Sequence, residues 1–184
     1  MSFLEDMFGL KGKTAIVAGG AGVIGTMMCG ALLKAGANVI IWSRTQASID
    51  QALAKLTENS SSKERLAGFR VDTGDESEVA GGLQHALRTF AAPEILVNAV
   101  GGVVGTAPLV ETDVKQFEQT LHLNLVAGLL ITTKMVAAYW IENDIKGSII
   151  NLTSMASYNP LSGVLGYDAA KAGVLNLTMA AAKE

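Results

Sequence analysis

Five short apolar segments alternate with helical segments along the chain, and this alternation limits the possible folds more than any other feature. The predicted strands are residues 14–18, 38–42, 66–71, 95–98 and 148–152. Apolar runs of this length between turn residues are typical of strands that are buried on both faces. Strands that alternate with helices form parallel sheets with right-handed crossovers. We therefore predict an α/β fold with a doubly wound parallel (Rossmann) sheet, strand order 3-2-1-4-5 and helices on both faces.

Capping and turn residues mark the ends of the helical segments. The predicted helices run from the glycines after strand 1 to about residue 35, and then to about 57, over 75–91, over 113–142 and from about 166 to the end. Asp75 with Glu78, and Asp113 with Gln116, have the spacing of a capping box. Residues 1–12 are predicted as a lead-in and residues 58–64 as a surface loop, because glycines and serines are frequent there.

The composition indicates one folded domain that acts on small molecules. The 184 residues are 49% apolar and 17% charged, which suits a buried core, and the net charge is -3. No basic run points to nucleic acid or to an anionic membrane. The apolar run 123–131 is interrupted by Thr132, Thr133 and Lys134. We therefore expect no stretch of the roughly 18 apolar residues that a membrane span needs.

The amino terminus and the few potential metal ligands argue against several other classes. Acidic residues stand at positions 5 and 6, where a secretory signal carries basic ones, so we expect a cytoplasmic protein. Cys29 lies in an apolar helical segment, which favours a buried thiol. His85 and His122 have no cluster of Cys, His or acidic residues beside them. We therefore expect neither a metal site nor a Ser-His-acid hydrolase.

A glycine-rich stretch, residues 19–25, follows the first strand and precedes the first helix. A glycine turn in this position lets the backbone approach a pyrophosphate, which the amides and dipole of the helix stabilise. The alternative is a tight turn without a ligand. Ligands of parallel sheets bind beyond the carboxyl ends of the strands. The other candidates follow such ends: Ser43 and Arg44 after strand 2, Asp72 after strand 3, residues 98–101 after strand 4, and Ser154 after strand 5.

Tyr167 and Lys171 are the strongest indication of a reaction. Residues four apart lie on one face of a helix, with Cβ atoms about 5 to 6 Å apart, so the ammonium can approach the phenol. A nearby positive charge favours the phenolate, which suits a tyrosine that acts as general acid and base. A chance pair on an exposed helix is the alternative. Asp168 lies about 100° round the helix from Tyr167, so we expect its effect on the phenol to be modest.

Together these motifs resemble the short-chain dehydrogenase/reductase family over nearly the whole chain. Residues 18–25 are similar to the family pattern Thr-Gly-x-x-x-Gly-x-Gly, and the first and last glycines match. Ala18 replaces the threonine, and Val23 replaces the middle glycine, with Gly22 one place earlier. Residues 98–101 are similar to the Asn-Asn-Ala-Gly motif without its second asparagine.

The resemblance implies roles for the site residues. The matching catalytic positions are Asn124, Ser154, Tyr167 and Lys171. Asn124 would orient a water that leads to Lys171, although a core asparagine with satisfied hydrogen bonds is an alternative. Ser154, thirteen residues before Tyr167, alternatively caps a turn. The implied cofactor-binding residues are Gly19, Gly22, Ile24, Gly25, Ser43, Arg44, Asp72, Thr73, Asn98, Gly101, Tyr167 and Lys171.

The residues after strand 2 predict which cofactor is bound. A carboxylate there would bind the ribose 2'-hydroxyl of NAD, whereas an arginine suits the 2'-phosphate of NADP. This chain has Ser43 and Arg44 and no acidic residue until Asp50. We therefore expect NADP in preference to NAD, with Arg44 as a forked phosphate ligand. A solvated surface arginine is the alternative. Asp72 contacts the adenine by resemblance, or merely forms a turn.

The resemblance implies an oxidoreductase that transfers a hydride between the nicotinamide and a small carbonyl or alcohol substrate, with Tyr167 as general acid and base. Residues 1–184 would form a single dinucleotide-binding and catalytic domain that lacks the carboxyl-terminal part of the family. The alternative is a truncated nucleotide-binding or interaction domain without turnover. The helices that carry Asn124 and Tyr167 commonly form oligomer contacts in the family, so we expect a homo-oligomer. Residues 101–106 and 157–161 resemble loops of sugar-acid reductases related to mannonate oxidoreductase.

Overall fold

The computed structural model describes residues 7–58 and 63–184, and its centre is a parallel sheet of five strands. The strands are β1 (Thr14–Ala18), β2 (Asn38–Ser43), β3 (Leu66–Arg70), β4 (Ile95–Asn98) and β5 (Ser148–Asn151). Their order is β3-β2-β1-β4-β5, so the predicted fold class and strand order are confirmed. Parts of the predicted lead-in and surface loop, residues 1–6 and 59–62, lie outside the described residues.

Three strand ends differ from the prediction by one residue each. β2 continues to Ser43 because this residue pairs in register with Arg70 of β3. β3 and β5 end one residue earlier than predicted. There a backbone hydrogen bond from Val71 to Ser43 (2.9 Å), or from Leu152 to Asn98 (3.2 Å), still prolongs the ladder past the strand end. These differences do not change which side chains follow each strand.

β1 is the central strand and is buried throughout. Its five residues are all buried, and Ile16 pairs with Ile40 of β2 and with Leu96 of β4. Successive side chains of a strand point to opposite faces of the sheet, so both faces of β1 need an apolar cover. This requirement explains why β1 is a continuous apolar run in the sequence rather than an alternating one.

Five main helices cover the two faces of the sheet. They are α1 (Val23–Lys34), α2 (Gln46–Thr57), α3 (Glu76–Thr89), α4 (Val114–Glu142) and α5 (Leu165–Ala181). On one face, α1 and α2 bury a cluster that includes Val17, Cys29, Leu33, Ile49 and Ala52. On the other face, α3 and α4 bury a cluster that includes Ile16, Trp42, Val79, Leu83, Val136 and Trp140. α5 packs against α4 and β5.

Side chains cap the helices at the predicted positions. Asp75 accepts hydrogen bonds from the backbone amides of Ser77 (2.8 Å) and Glu78 (3.1 Å), and Asp113 caps α4 in the same way. The second half of the predicted capping box at α3 is wrong, because Glu78 accepts from the amide of Asp72 (2.8 Å) instead of that of Asp75. Glu78 therefore ties the start of α3 to the loop after β3.

The middle of α4, His122–Leu130, is π-helical, a feature that no pattern in the sequence predicts. Gly128 lies in this part, and a Cβ on it would be 2.9 Å from the carbonyl oxygen of Val100 after β4. π-Helical turns are rare in proteins, and those that occur often lie at functional sites. This one contains Asn124, a predicted catalytic residue.

Among the described residues, α4, with 29 residues, is the helix whose length and composition would suit a membrane span. Its side chains nevertheless form part of the core. Ile131, Val136 and Trp140 are buried against the sheet, and the Trp140 indole donates a hydrogen bond to the carbonyl of Pro93 (2.6 Å). α4 is therefore a core helix of the α/β domain.

Adjacent glycines in α3 offer a matched test of how tightly this face is packed. A Cβ on Gly82 would lie 2.7 Å from Val71 Cγ2 and 3.1 Å from Trp42 Cε2, whereas a Cβ on Gly81 would meet no described atom within 4 Å outside its own helix backbone. We expect Gly81→Ala to raise the free energy of unfolding by about 0.5–1 kcal/mol through helix propensity. We expect Gly82→Ala to lower it by about 1–3 kcal/mol through overpacking. Urea denaturation measures both, and equal stability of the two variants would contradict this packing.

Candidate active site

The turn after β1 is shaped by glycines. Gly19 has a positive φ of 77°, and a Cβ on it would lie 2.8 Å from the carbonyl carbon of Ala99 after β4. A Cβ on Gly25 would lie 2.2 Å from the carbonyl oxygen of Gly19. Val23, which stands where the family pattern has a glycine, is 83% exposed on the first turn of α1. Its side chain therefore does not disturb the turn, which presents backbone atoms to the outside.

The glycine turn forms one wall of a crevice at the carboxyl edge of the sheet. The crevice lies where β1 and β4 are neighbours and the order of the parallel strands reverses, which is the switch point. The predicted cofactor-binding residues that line it are Gly19, Gly22, Ser43, Arg44, Asp72, Thr73 and Gly101. Ile24, which is 58% exposed, and the buried Gly25 follow in the first turn of α1.

The end of β2 carries hydroxyl groups and a cation. Ser43 Oγ lies 3.0 Å from Ser48 Oγ, and Thr45 caps α2 by accepting the amide of Ser48. Arg44 is exposed, and no carboxylate in residues 7–58 and 63–184 forms an ion pair with it. A guanidinium and hydroxyls beside a crevice are suited to binding a phosphate group.

Two of the predicted cofactor ligands have structural tasks. Asp72 Oδ1 accepts the amide of Gly74 (2.9 Å), so Asp72 forms the turn that was its alternative assignment. Asn98 is only 2% exposed and fastens β4 to its neighbours. The partners of its side-chain amide are Thr132 (2.7 Å), Thr133 (3.0 Å) and Asn151 (2.8 Å). The polar atoms of the Asn98 side chain are thus committed to the protein itself.

Asn124 joins α4 to the loop after β4. Its Nδ2 donates to the carbonyls of Gly102 (2.7 Å) and Thr120 (2.8 Å), and its Oδ1 accepts the amide of Gly102 (3.1 Å). The side chain is 1% exposed, which agrees with a satisfied core asparagine. A Cβ on Gly101 would lie 2.6 Å from Asn124 Oδ1 and 3.2 Å from Lys171 Nζ. Because residue 101 has no side chain, the loop after β4 can lie directly against Asn124 and Lys171.

Lys171 is buried beside Tyr167, so α5 forms the predicted pair. Its Nζ donates to the carbonyl oxygen of Leu152 (2.8 Å) and lies 5.7 Å from the centroid of the Tyr167 ring. Only 5% of Lys171 is exposed, and this desolvation lowers the pKa of the ammonium. Tyr167 itself is partly exposed and lines a cavity together with residues 103–107.

Ser154 caps the short 3₁₀ turn Met155–Ser157 by accepting the amide of Ala156 (3.1 Å). The capping alternative is therefore realised, and because the hydroxyl acts there as an acceptor, its proton can still be donated. The hydroxyls of Thr153 and Ser157 bond each other, and Thr153 also donates to the carbonyl of Lys171 (3.2 Å).

Two further residues singled out in the sequence have clear positions in the structure. Cys29 is buried, which raises its pKa to about 12 and makes it an inert thiol. Asp168 is 7% exposed, and its Oδ2 accepts the amide of Leu161 (3.1 Å), so it holds the loop before α5. Within the described residues, no three His, Cys, Asp or Glu side chains are grouped to hold a metal ion.

Thr120 is a site residue that is absent from the set predicted from the sequence. It lies one turn before Asn124 on the same face of α4, is 2% exposed, and bonds both backbone groups of Val104. Its spacing from Asn124 is visible in the sequence. A threonine within a helix nevertheless has no pattern that indicates a bond to a loop 16 residues away.

The fold and the site together define a class. A doubly wound parallel sheet with a glycine turn at its switch point, and with Asn, Ser, Tyr and Lys side chains beyond β4 and β5, is a Rossmann-type α/β protein. Residues 13–184 match the family model described as short chain dehydrogenase, and the chain belongs to this family. Members of the family are oxidoreductases that use NAD or NADP.

Known relatives are longer than this chain. The 2-dehydro-3-deoxy-D-gluconate 5-dehydrogenase of Formosa agariphila is 29% identical over 97% of this chain and 66% of its own length. The 3beta-hydroxysteroid dehydrogenase 2 of Eggerthella lenta is 30% identical over 92% of this chain and 64% of its own. A short chain dehydrogenase from Bacillus anthracis has a crystal structure that superposes with a TM-score of 0.83 at 27% identity, over 92% of this chain and 68% of that one. The chain thus spans 64 to 66% of the two curated relatives.

The buried Lys171 predicts a pH dependence of stability. Its pKa is lowered from 10.5 in the folded state, so the unfolded chain holds this proton more tightly and the free energy of unfolding rises with pH between the lowered pKa and 10.5. We expect the stability of the wild type relative to Lys171→Met to increase as the pH rises towards 10.5, the ordinary pKa of a lysine. Lys55→Met, at an exposed position of α2, is the matched control for the loss of a lysine side chain. Urea denaturation across this pH range measures both differences, and a constant difference for Lys171→Met would contradict the prediction.

Proposed function

We propose that the protein catalyses reversible hydride transfer between NADPH and a carbonyl or alcohol group, with Tyr167 as general acid and base. The observation that carries this proposal is the position of Lys171. Its buried ammonium lies 5.7 Å from the Tyr167 ring and is adjacent to Gly101, which lines the crevice. A desolvated cation held in this place favours negative charge on the neighbouring phenol. Membership of a family of oxidoreductases supports the same class of reaction.

The crevice fits a nicotinamide dinucleotide. Side chains at positions 19 and 25 would collide with the backbone, so the amides at the start of α1 can approach a pyrophosphate. The remaining residues proposed to hold the cofactor are Gly22, Ile24, Ser43, Arg44, Asp72, Thr73, Asn98, Gly101, Tyr167 and Lys171, and Asp72 and Asn98 also support the crevice walls. The bound nicotinamide supplies or accepts the hydride.

Tyr167, Ser154 and Lys171 share the acid and base work in this proposal. During reduction the Tyr167 hydroxyl gives its proton to the substrate oxygen as negative charge develops there. Ser154 donates a hydrogen bond to the same oxygen, because its hydroxyl is an acceptor towards Ala156 and keeps its proton. Lys171 stabilises the phenolate that remains. During alcohol oxidation the same groups act in reverse.

Asn124 contributes by position in this mechanism. Its side-chain bonds to Gly102 hold the loop after β4, and with it Gly101, against the Lys171 ammonium. We therefore count Asn124 among the catalytic residues because it holds Gly101 and Lys171 in position. A water between Asn124 and Lys171, which the family resemblance implies, belongs to the same proposal.

NADP is the cofactor that we propose in preference to NAD. The forked guanidinium of Arg44 stands exposed beside Ser43 at the crevice, and such a fork suits a ribose 2'-phosphate. The nearest acidic residue along the chain, Asp50, is bonded to Gln46 within α2 (2.8 Å). A carboxylate that would accept the ribose hydroxyls of NAD is therefore missing from the end of β2, within the part of the chain that the structure describes.

A sugar acid is the substrate class that we propose. The relative from Formosa agariphila acts, by its name, on 2-dehydro-3-deoxy-D-gluconate, and residues 101–106 and 157–161 resemble loops of sugar-acid reductases. We also propose that residues 1–184 work as one dinucleotide-binding and catalytic domain. The protein would be a cytoplasmic homo-oligomer with α4 and α5 at its contacts.

Replacement of the tyrosine hydroxyl tests the reaction. Tyr167→Phe should lower kcat for NADP-dependent oxidation of 2-dehydro-3-deoxy-D-gluconate by about 10²–10⁴-fold, because the general acid and base is lost. The Kd for NADPH should change by less than about twofold, since the ring remains. Tyr139→Phe, on α4, is the matched control and should keep wild-type turnover. Retention of most activity in Tyr167→Phe would remove the assigned acid.

Charge reversal at the end of β2 tests the choice of cofactor. Arg44→Asp should weaken NADPH binding by about 10-fold or more and strengthen NADH, because the carboxylate repels a 2'-phosphate and accepts ribose hydroxyls. Thermal-shift titrations with NADPH and NADH measure both affinities without any need for turnover. Arg88→Asp, an exposed site near the end of α3, is the charge-matched control. An unchanged NADPH to NADH ratio in Arg44→Asp would count against the phosphate role.

A further inference from the structure

A cavity adjoins Tyr167 on the side of the amino-terminal part of α4. Its walls are residues 103–107 of the loop after β4, residues 163–166 before α5, and the side of α4 that carries Gln116 and Thr120. The cavity is distinct from the crevice at the glycine turn, since the residues that line the two sites do not overlap. The path of residues 103–107 therefore decides the shape of the space beside Tyr167.

Thr120 bonds this loop through its backbone. The Thr120 hydroxyl accepts the amide of Val104 (3.1 Å), and its own proton is directed to the carbonyl of Val104 (3.1 Å) or to that of Gln116 (2.9 Å). A hydroxyl has one proton to donate and two lone pairs, so it can serve Val104 as acceptor and donor together. Thr120 is 2% exposed, and these bonds are thus shielded from water.

Asn124 serves Gly102 in the same way, one helical turn further along α4. Its side-chain oxygen accepts the Gly102 amide and its nitrogen donates to the Gly102 carbonyl. Residues 102 and 104 are two apart in the chain, and the N–H and C=O groups of both are bonded by side chains of α4. The two side chains take the place of a neighbouring strand for this segment.

The far end of the loop is fixed as well. Gly105 has a positive φ of 72°, and a Cβ on it would lie 1.7 Å from Gln116 Oε1. The amide of Ala107 then donates to the carbonyl of Gly163 (3.0 Å), across the cavity from α4. Between Gly102 and Ala107, the bond to Thr120 is the one that holds the middle of the cavity wall.

We infer that Thr120 is a positioning residue for substrate: it holds residues 103–107 as the wall of the substrate site beside Tyr167. The inference rests on the proposed function, since it assigns the cavity to the substrate of the Tyr167 reaction. Thr120 acts through Val104 and does not itself touch the reacting atoms. The Val104 backbone groups would lose their partner if the hydroxyl were removed, and the wall would move.

Variants that separate the hydroxyl from the size of the side chain test this inference. Thr120→Val keeps the shape and removes the hydroxyl, Thr120→Ser keeps the hydroxyl, and Thr120→Ala differs from Thr120→Ser by the oxygen alone. We expect Thr120→Val to lower kcat/KM for oxidation of 2-dehydro-3-deoxy-D-gluconate by about 10-fold, mainly through KM, because a displaced wall misplaces the substrate. The Kd for NADP should stay within about twofold of the wild type, and Thr120→Ser should restore kcat/KM to within about threefold.

Amide hydrogen exchange gives a second readout that needs no turnover. In Thr120→Val the Val104 amide should exchange about 10-fold faster or more, whereas the Gly102 amide, held by Asn124, should keep its protection and serve as an internal reference. If Thr120→Val does not fold, the comparison of Thr120→Ala with Thr120→Ser replaces it.

Each result has a defined meaning. Unchanged KM in the variants without the hydroxyl, or an equal loss in Thr120→Ser, would overturn the positioning role while leaving the proposed function intact. A fall in melting temperature without a change in KM would make Thr120 a purely structural residue and would also overturn the inference. A wild type that binds NADPH and turns over no sugar acid or other alcohol would instead refute the proposed function, and the inference with it.

Discussion

The contact between the loops that follow β1 and β4 is the constraint on which the site depends. Any side chain at position 19 would collide with Ala99, and any side chain at position 101 would collide with Asn124. The loop after β1 can therefore meet the loop after β4 only as bare backbone at Gly19, and the loop after β4 can meet α4 only as bare backbone at Gly101. As a result Gly101 both lines the crevice at the glycine turn and lies beside the buried Lys171 ammonium.

Polar bonds at the ends of β4 and β5 hold that wall in place. Asn98 and Asn151 pair across the two strands, and Asn151 continues the chain of hydrogen bonds to Thr178 of α5 (3.0 Å). Lys171 of the same helix bonds the carbonyl that follows β5. Buried polar groups are costly unless each has a partner, and a network of this kind favours one arrangement of strands and helices. α5 is thus placed relative to the sheet by hydrogen bonds as well as by apolar packing.

Much of the fold could be predicted because its causes are local. Apolar runs and glycine turns indicate the strands, Asp75 and Asp113 indicate the starts of α3 and α4, and the family spacing pointed to Tyr167 and Lys171. The π-helical part of α4 could not be predicted, since it depends on the fit of Gly128 against Val100 and no periodicity indicates it. The prediction that Glu78 completes a capping box at α3 was wrong for a similar reason, because the Asp72 amide of the preceding loop donates to Glu78 instead.

Hydrogen bonds between residues that are distant in the sequence could not be predicted. The bonds that hold the loop after β4 are an example. Thr120 and Asn124 recognise this loop through main-chain atoms, which every amino acid other than proline possesses. Substitutions at positions 103, 104 and 106 could consequently alter the chemical lining of the cavity while the chain keeps its course. The side chains that line the cavity are in this way separated from the main-chain bonds that fix the path of the loop.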